Sequence, residues 1–136
     1  MQRVVLDTCT LIFLTEGARL KPAAIEVLDD ASESGVSYIS PVSAWEIGML
    51  VSLGRLQLSI RPERWFANLF EAPGVQLADM SPDLLIASSF LPGRPPRDPF
   101  DRIIVATARE LGAAIVTRDR ALLAYGEQGH VGVVEC

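Results

Sequence analysis

The chain has 136 residues, 49% of them hydrophobic, and a formal charge of -5 from 12 basic and 17 acidic side chains. That length suits one domain, residues 1–136, whose core needs neither disulfides nor a structural metal, and the acidic balance excludes nucleic-acid binding through bulk electrostatics, which requires a basic surface. No apolar stretch approaches the roughly 18 residues of a membrane span, the start Met1-Gln2-Arg3-Val4-Val5-Leu6-Asp7 lacks a signal-peptide pattern, and Cys9 and Cys136 form neither a zinc-type nor a redox-type spacing, so a soluble, cytoplasmic protein with reduced thiols is expected.

Arg3 to Asp7 is a short β-rich run and the first predicted strand. Pro22 to Ser34 places Ala24, Val27, Leu28 and Ala31 at helical spacing, with Gly35 positioned to stop the helix before a second strand, Val36 to Ser40. Helices are predicted over Val42 to Leu53 and Pro62 to Glu71, a strand over Val75 to Ala78, and a helix over Pro82 to Leu91. Pro92 to Pro99 reads as a stiff loop, followed by a helix from Pro99 to Leu111, a strand from Ala113 to Thr117, a short helix from Arg120 to Tyr125 and a last strand from Val131 to Glu135. This alternation is the signature of an α/β fold with right-handed crossovers and a mainly parallel sheet, whose strand order the pattern alone leaves open.

Acidic residues stand where such a fold puts its ligands, in the crevice beyond the carboxyl ends of the strands. Asp7 ends Val4-Val5-Leu6, Glu46 and Asp101 open helical segments, and Asp119 follows Ile115-Val116-Thr117. Each has a structural explanation taken alone. Ser43 and Glu46 match a capping box, Asp98-Pro99-Phe100-Asp101 supplies a cap, a proline at the first helical position and an acid two residues later, Asp119 can cap the following helix, and Asp7 can end its strand. Capping does not account for all four acids at equivalent ends of buried elements. The apolar residues Val42, Trp45, Met49, Leu50 and Leu53 run across the face that carries Glu46, and the helix begun by Asp101 is apolar nearly all round through Phe100, Ile103, Ile104, Val105, Ala106, Ala108 and Leu111. Converging carboxylates repel one another, and oxygen-only ligands favour a hard cation such as Mg²⁺ or Mn²⁺.

Other constellations are poor. His130 has no nucleophile and base around it in sequence, Cys9 reads as a small buried residue, and the glycines form no dinucleotide or P-loop fingerprint. Arg94, Arg97, Arg102, Arg118 and Arg120 crowd the acids; they either pair with them or offer planar forks to phosphate. Trp45, Trp65, Phe66 and Phe70 fall at helical spacings, which favours packing in a core or partner interface over base stacking, and Trp65, Phe66, Leu69 and Phe70 exceed what a small edge helix needs and form a candidate partner surface.

Four motifs occur in order: Val5-Leu6-Asp7-Thr8, Ser43-Ala44-Trp45-Glu46-Ile47-Gly48, Asp98-Pro99-Phe100-Asp101-Arg102 followed by Ile103 to Ala108, and Val116-Thr117-Arg118-Asp119. In that order, and across nearly the whole chain, the sequence resembles the PIN-domain ribonucleases, and within them the VapC-type toxins of prokaryotic toxin–antitoxin pairs. Departures from the family pattern are Cys9, where histidine is frequent, and the absence of a histidine shortly before Asp98. The resemblance implies a compact, PIN-like three-layer α/β sandwich around a mainly parallel sheet. It implies a metal-dependent endoribonuclease that hydrolyses RNA to 5′-phosphate and 3′-hydroxyl ends. Its Mg²⁺ or Mn²⁺ site would be Asp7, Glu46, Asp101 and Asp119, with Asp7 and Asp101 as principal ligands, Thr8, Ser43 and Thr117 in support, and Asp98 as an accessory acid. The implied partners are the RNA substrate, a cognate antitoxin and a second copy of the chain. The alternative is a non-catalytic module of the same fold that binds protein or RNA. A receiver domain would need a late lysine, and Lys21 is the last one; a haloacid-dehalogenase-type phosphatase would need an acid where Cys9 stands.

Overall fold

The computed structural model describes residues 2–136. Strands β1 (Arg3–Leu6), β2 (Val36–Ile39), β3 (Val75–Leu77), β4 (Ala114–Thr117) and β5 (Gly132–Glu135) hydrogen-bond into one sheet in the order β3-β2-β1-β4-β5. Every pairing is parallel, with Val4 opposite Ser37 on one side and Val5 opposite Ile115 on the other. Helices α1 (Thr8–Thr15), α2 (Pro22–Ser34), α3 (Pro41–Ser52), α4 (Pro62–Asn68), α5 (Pro82–Ala87), α6 (Pro99–Leu111) and α7 (Arg120–Glu127) connect the strands, and a 3₁₀ turn, Leu69–Glu71, extends α4.

Successive strand side chains feed two separate cores. Val4 and Leu6 pack with Leu11 of α1, Ala24 and Ala31 of α2, Ile39 and Val116, whereas Val5 and Ile115 pack with Val42 of α3, Ile103 to Ala106 of α6, and Leu122 and Tyr125 of α7. The result is the expected three layers. Since both sheet faces are covered, Val4 and Val5 are both 0% exposed, which is why the strands read as unbroken apolar runs rather than alternating ones.

Several boundaries differ from the sequence reading. The sequence pattern predicts no helix over Thr8–Thr15, whose threonine, isoleucine and phenylalanine content is strand-like; the Thr8 backbone N–H donates to Asp7 Oδ1 at 2.8 Å, and this cap starts α1 immediately after β1. Helix α3 begins at Pro41, with Ser40 as its cap through Val42 N–H to Ser40 Oγ at 3.1 Å. Ser43 is therefore not a cap, and Glu46 lies beyond the first turn. The α3 stripe that was to bury Glu46 is turned outward, since Trp45, Met49 and Leu53 are exposed and the buried face is Val42, Ser43 and Ile47. Trp65, Phe66, Leu69 and Phe70 are half-buried and pack against the core that contains Leu11 and Ala24.

Sheet order fixes where a site can form. The chain builds β1, β2 and β3 outward in one direction and then crosses to the other side of β1 to lay down β4 and β5. The carboxyl ends of β1 and β4 thus flank the switch point, where connections diverge and leave a crevice.

Two glycines have different physical roles. A Cβ on Gly35 would sit 1.9 Å from the Gln2 carbonyl oxygen, where the end of α2 crosses the entry to β1, whereas Gly112 ends α6 at φ +61° with open space around it. Gly35→Ala should cost on the order of 1–3 kcal/mol through overpacking against backbone, and Gly112→Ala about 1 kcal/mol through left-handed strain alone. Thermal melts of the two variants should rank in that order, and an unchanged midpoint for Gly35→Ala would contradict the packing described.

Candidate active site

Asp7 is the fixed point. It is 5% exposed, and its carboxylate is held from three directions: Thr8 N–H at 2.8 Å on Oδ1, and Thr117 Oγ1 at 2.7 Å with Cys9 Sγ at 3.2 Å on Oδ2. The Thr117 hydroxyl comes from the end of β4, so the hydrogen bond ties the two strands across the switch point. Thr117 Oγ1 also accepts from the Asp119 backbone N–H at 3.0 Å, which fixes the turn that delivers Asp119. Thr8 Oγ1 and Ser43 Oγ lie 2.9 Å apart, joining α1 to α3 in the turn before Glu46.

Asp98 behaves as the sequence suggests. Its Oδ1 accepts from Phe100 N–H at 2.9 Å at the start of α6, and Asp101 follows inside the first turn. The remaining acids lack that kind of explanation. Asp119 stands at the cap position of α7 without making a side-chain cap bond, and its Oδ2 is buried with no hydrogen-bond partner. Glu46 is too deep in α3 to act on the helix start.

The acids feel one another. Burial pushes the Asp101 carboxyl up to about 8, reinforced by repulsion from Asp7, Asp119, Asp98 and Glu46. Burial likewise raises Glu46, opposed by a hydrogen bond from the Thr8 side chain and helped by the charges of Asp7, Asp98 and Asp119. Asp7 is raised by burial against the pull of its hydrogen bonds from Thr117, Cys9 and Thr8. All four quartet acids, with Asp98 beside them, therefore share one electrostatic neighbourhood although they come from four separate stretches of chain. They are neighbours without being a finished cage: among the described residues, no three His, Cys, Asp or Glu side chains are already arranged to hold a metal ion. The donor set itself is chemically suited to a hard cation, being carboxylate and hydroxyl oxygens with one buried carboxylate oxygen left unbonded.

Cys9 is closer to the chemistry than its sequence reading allowed. It is half-buried, donates to Asp7, and has its thiol pushed up to about 12 by burial and by the Asp7 charge, so it contributes a neutral S–H. Its position two residues after Asp7, in the first turn of a capped helix, was the available signal.

Among the described residues the ion pairs are Lys21–Glu135 and Arg61–Glu63, so none of Arg94, Arg97, Arg102, Arg118 or Arg120 is paired with an acid. Arg118 lies 3.9 Å from the Phe13 ring centroid and donates to the Cys136 carbonyl at 3.1 Å, while Arg97 and Arg120 are exposed. A separate depression of about 570 Å³, lined by Arg3, Arg109 and His130 among others, opens at the amino ends of β1, β4 and β5, away from the acids.

A wholly parallel α/β sheet with carboxylates gathered at its switch point defines a protein that works on ligands at the strand ends. The PIN domain model matches residues 4–128, and the chain belongs to the PIN-domain family. It is 35% identical over 127 residues to Ribonuclease VapC22 of Mycobacterium tuberculosis (strain ATCC 25618 / H37Rv), an alignment that covers 92% of this chain and 93% of that relative. Its fold is similar to that of VapBC2 from Rickettsia felis bound to a promoter DNA fragment, with TM-score 0.66, 14% identity and 98% of each chain covered. It is similar also to DNA-bound VapBC from Salmonella typhimurium, with TM-score 0.62, 22% identity and coverage of 99% and 98%, and to a toxin–antitoxin complex from Klebsiella pneumoniae, with TM-score 0.63, 23% identity and coverage of 96% and 95%.

The raised Asp101 value sets a pH dependence. Folded protein keeps that proton up to about pH 8 whereas an unfolded chain releases it near the ordinary 3.8, so the unfolded state binds fewer protons in this window. Stability must then fall as pH rises from about 4 to 8 and level off above. In metal chelator, wild-type protein should lose more melting temperature between pH 5 and pH 8 than Asp101→Asn does. Parallel profiles for the two proteins would show that Asp101 ionises normally.

Proposed function

We propose that the chain is an endoribonuclease that hydrolyses RNA phosphodiester bonds with Mg²⁺ or Mn²⁺, and that it serves as the toxin of a toxin–antitoxin pair, residues 1–136 acting as one domain. One observation carries the reading: Asp7, Glu46, Asp101 and Asp119 concentrate charge at one crevice and leave the buried Asp119 Oδ2 unbonded. The 35% identity to Ribonuclease VapC22 supports the ribonuclease and toxin assignment, and the likeness to VapBC and toxin–antitoxin complexes supports an antitoxin partner. A homodimer is proposed with it.

Asp7 and Asp101 would be the principal metal ligands, with Glu46 and Asp119 completing the shell directly or through water. When bound, a divalent cation supplies Lewis acidity at the phosphate and makes water a competent nucleophile near neutral pH. The chain's residues do the rest. Asp7 is oriented by Thr8 N–H on Oδ1 and by the Thr117 hydroxyl and Cys9 thiol on Oδ2, which leaves a lone pair free on Oδ1. Glu46, on a longer side chain and with its proton affinity raised, is suited to accept the proton of the attacking water. The Thr8–Ser43 hydroxyl pair steadies α1 against α3 beneath it. Unpaired Arg97 and Arg102 flank Asp98 and Asp101 and offer forks to the RNA backbone, which answers how an acidic protein handles a polyanion.

Purified protein should cut RNA in Mn²⁺ and not in chelator. Asp7→Asn, Glu46→Gln and Asp101→Asn should each lower cleavage by about a hundredfold or more with the fold intact, and Asp98→Asn should cost less because asparagine also caps. Equal damage from Asp98→Asn would exchange the roles of Asp98 and Asp101. Binding of a partner without any cleavage would favour the adaptor alternative.

Metal linkage gives an independent check. At free Mn²⁺ about a hundredfold above its dissociation constant, wild type should gain roughly 2.7 kcal/mol, or several degrees of melting temperature. Asp101→Asn should melt higher than wild type in chelator, because an amide does not bear the cost of burying an acid among other carboxylates, and gain little from Mn²⁺. An equal Mn²⁺-induced rise in both proteins would move the metal away from the quartet.

A further inference from the structure

Trp45 is not used by the chemistry above, and its place in the fold is unusual. It is 62% exposed, although an indole is among the most costly apolar groups to leave in water. It is also oriented: its ring centroid lies 4.9 Å from that of Phe100, with the planes at 75°. An edge-on contact of this kind fixes an aromatic ring while leaving at least one indole face uncovered.

What makes the pair informative is its neighbours. Trp45 immediately precedes Glu46 on α3, and Phe100 immediately precedes Asp101 on α6. Helices α3 and α6 pack against each other and the aromatic pair meets between them, so Glu46 and Asp101, the next residues along, flank the same seam, with Asp98 acting on both. Arg97, exposed and in no ion pair among the described residues, stands on the loop immediately before Asp98. An open aromatic face and a carboxylate cluster on neighbouring helices, with an unpaired arginine on the adjoining loop, form the combination that single-stranded nucleic acid requires: a surface for a base, a charge for the backbone and a site for the reacting phosphate.

We propose that Trp45, braced by Phe100, is a stacking shelf for the nucleobase next to the scissile phosphate, making it a substrate-positioning residue of the ribonuclease reading, on which this inference rests. Stacking uses the π-face that every base has, so the shelf sets where the strand lies rather than which base it carries. Helical spacing marks Trp45 for packing in a core or a partner interface, and its 62% exposure excludes the core.

The experiment uses the full-length chain and a short RNA that the wild type cuts. Trp45→Ala should lower kcat/KM by about tenfold or more, chiefly through KM, with sedimentation and melting temperature close to wild type. Trp45→Phe should restore most of the loss. An abasic residue in place of one nucleotide flanking the cut should cost the wild type a similar factor and cost Trp45→Ala little further, as expected when both changes remove the same contact. Unaltered kinetics in Trp45→Ala, or full additivity with each flanking abasic substitution, overturns the shelf. A loss accompanied by changed sedimentation overturns it too and assigns Trp45 to a protein contact. If wild type cuts no RNA in Mn²⁺, the ribonuclease reading has failed separately, and Trp45 fluorescence in a Trp65→Phe background decides the shelf: quenching by single-stranded RNA upholds it, and its absence overturns it.

Discussion

The hydrogen bond from Thr117 to Asp7 is the constraint on which the rest is arranged. A carboxylate buried at the end of a central strand is costly unless hydrogen-bonded, and here the bonds come from β4, from the α1 backbone and from a thiol. The same contact brings the ends of β1 and β4 together at the point where the sheet changes direction, so the stability of Asp7 and the geometry of the crevice have one cause. Every other acid is placed relative to this anchor: Asp119 by the turn that also bonds Thr117, and Asp101 by a central helix packed against β1 and β4.

The acids divide according to how their oxygens are occupied. Asp98 spends its carboxylate on a helix start, and Asp7 on a helix start and a strand tie, both with clear structural effects. Asp119 has the cap position without the cap bond, and Glu46 has neither. Capping and ion binding are thus not competing explanations for one motif. The helix starts position the backbone, and that positioning leaves particular carboxylates available for other work.

Much of this was legible in the sequence because parallel sheets buried on both faces leave unbroken apolar runs, and prolines and glycines mark the helix ends. Asp7, Asp101 and Asp119 could be located by what they follow or begin. What could not be read depends on tertiary placement. Strand order leaves no local trace, α1 has strand-like composition and is helical because Asp7 caps it, and the start at Ser40 rather than Ser43 depends on a cap that two serines three residues apart could equally supply. Periodicity identified the apolar stripe of α3 but not its direction: Trp45, Met49 and Leu53 face solvent while Ser43 is buried. The same limit applies to Trp65 and Phe66, whose aromatic content suggested a surface and which lie half-buried against the core.

The path of the chain through the sheet has a consequence for synthesis. Thr117 and Asp7 are 110 residues apart, and β4 pairs directly with β1. A ribosome that has released everything through α5 has presented Asp7 and Glu46 to solvent, but neither Asp101 nor Asp119 and no partner for the open edge of β1. The crevice closes only when the last third of the polypeptide returns to meet the first strand. Until then, the exposed edge of β1 is what the unfinished protein offers to its surroundings.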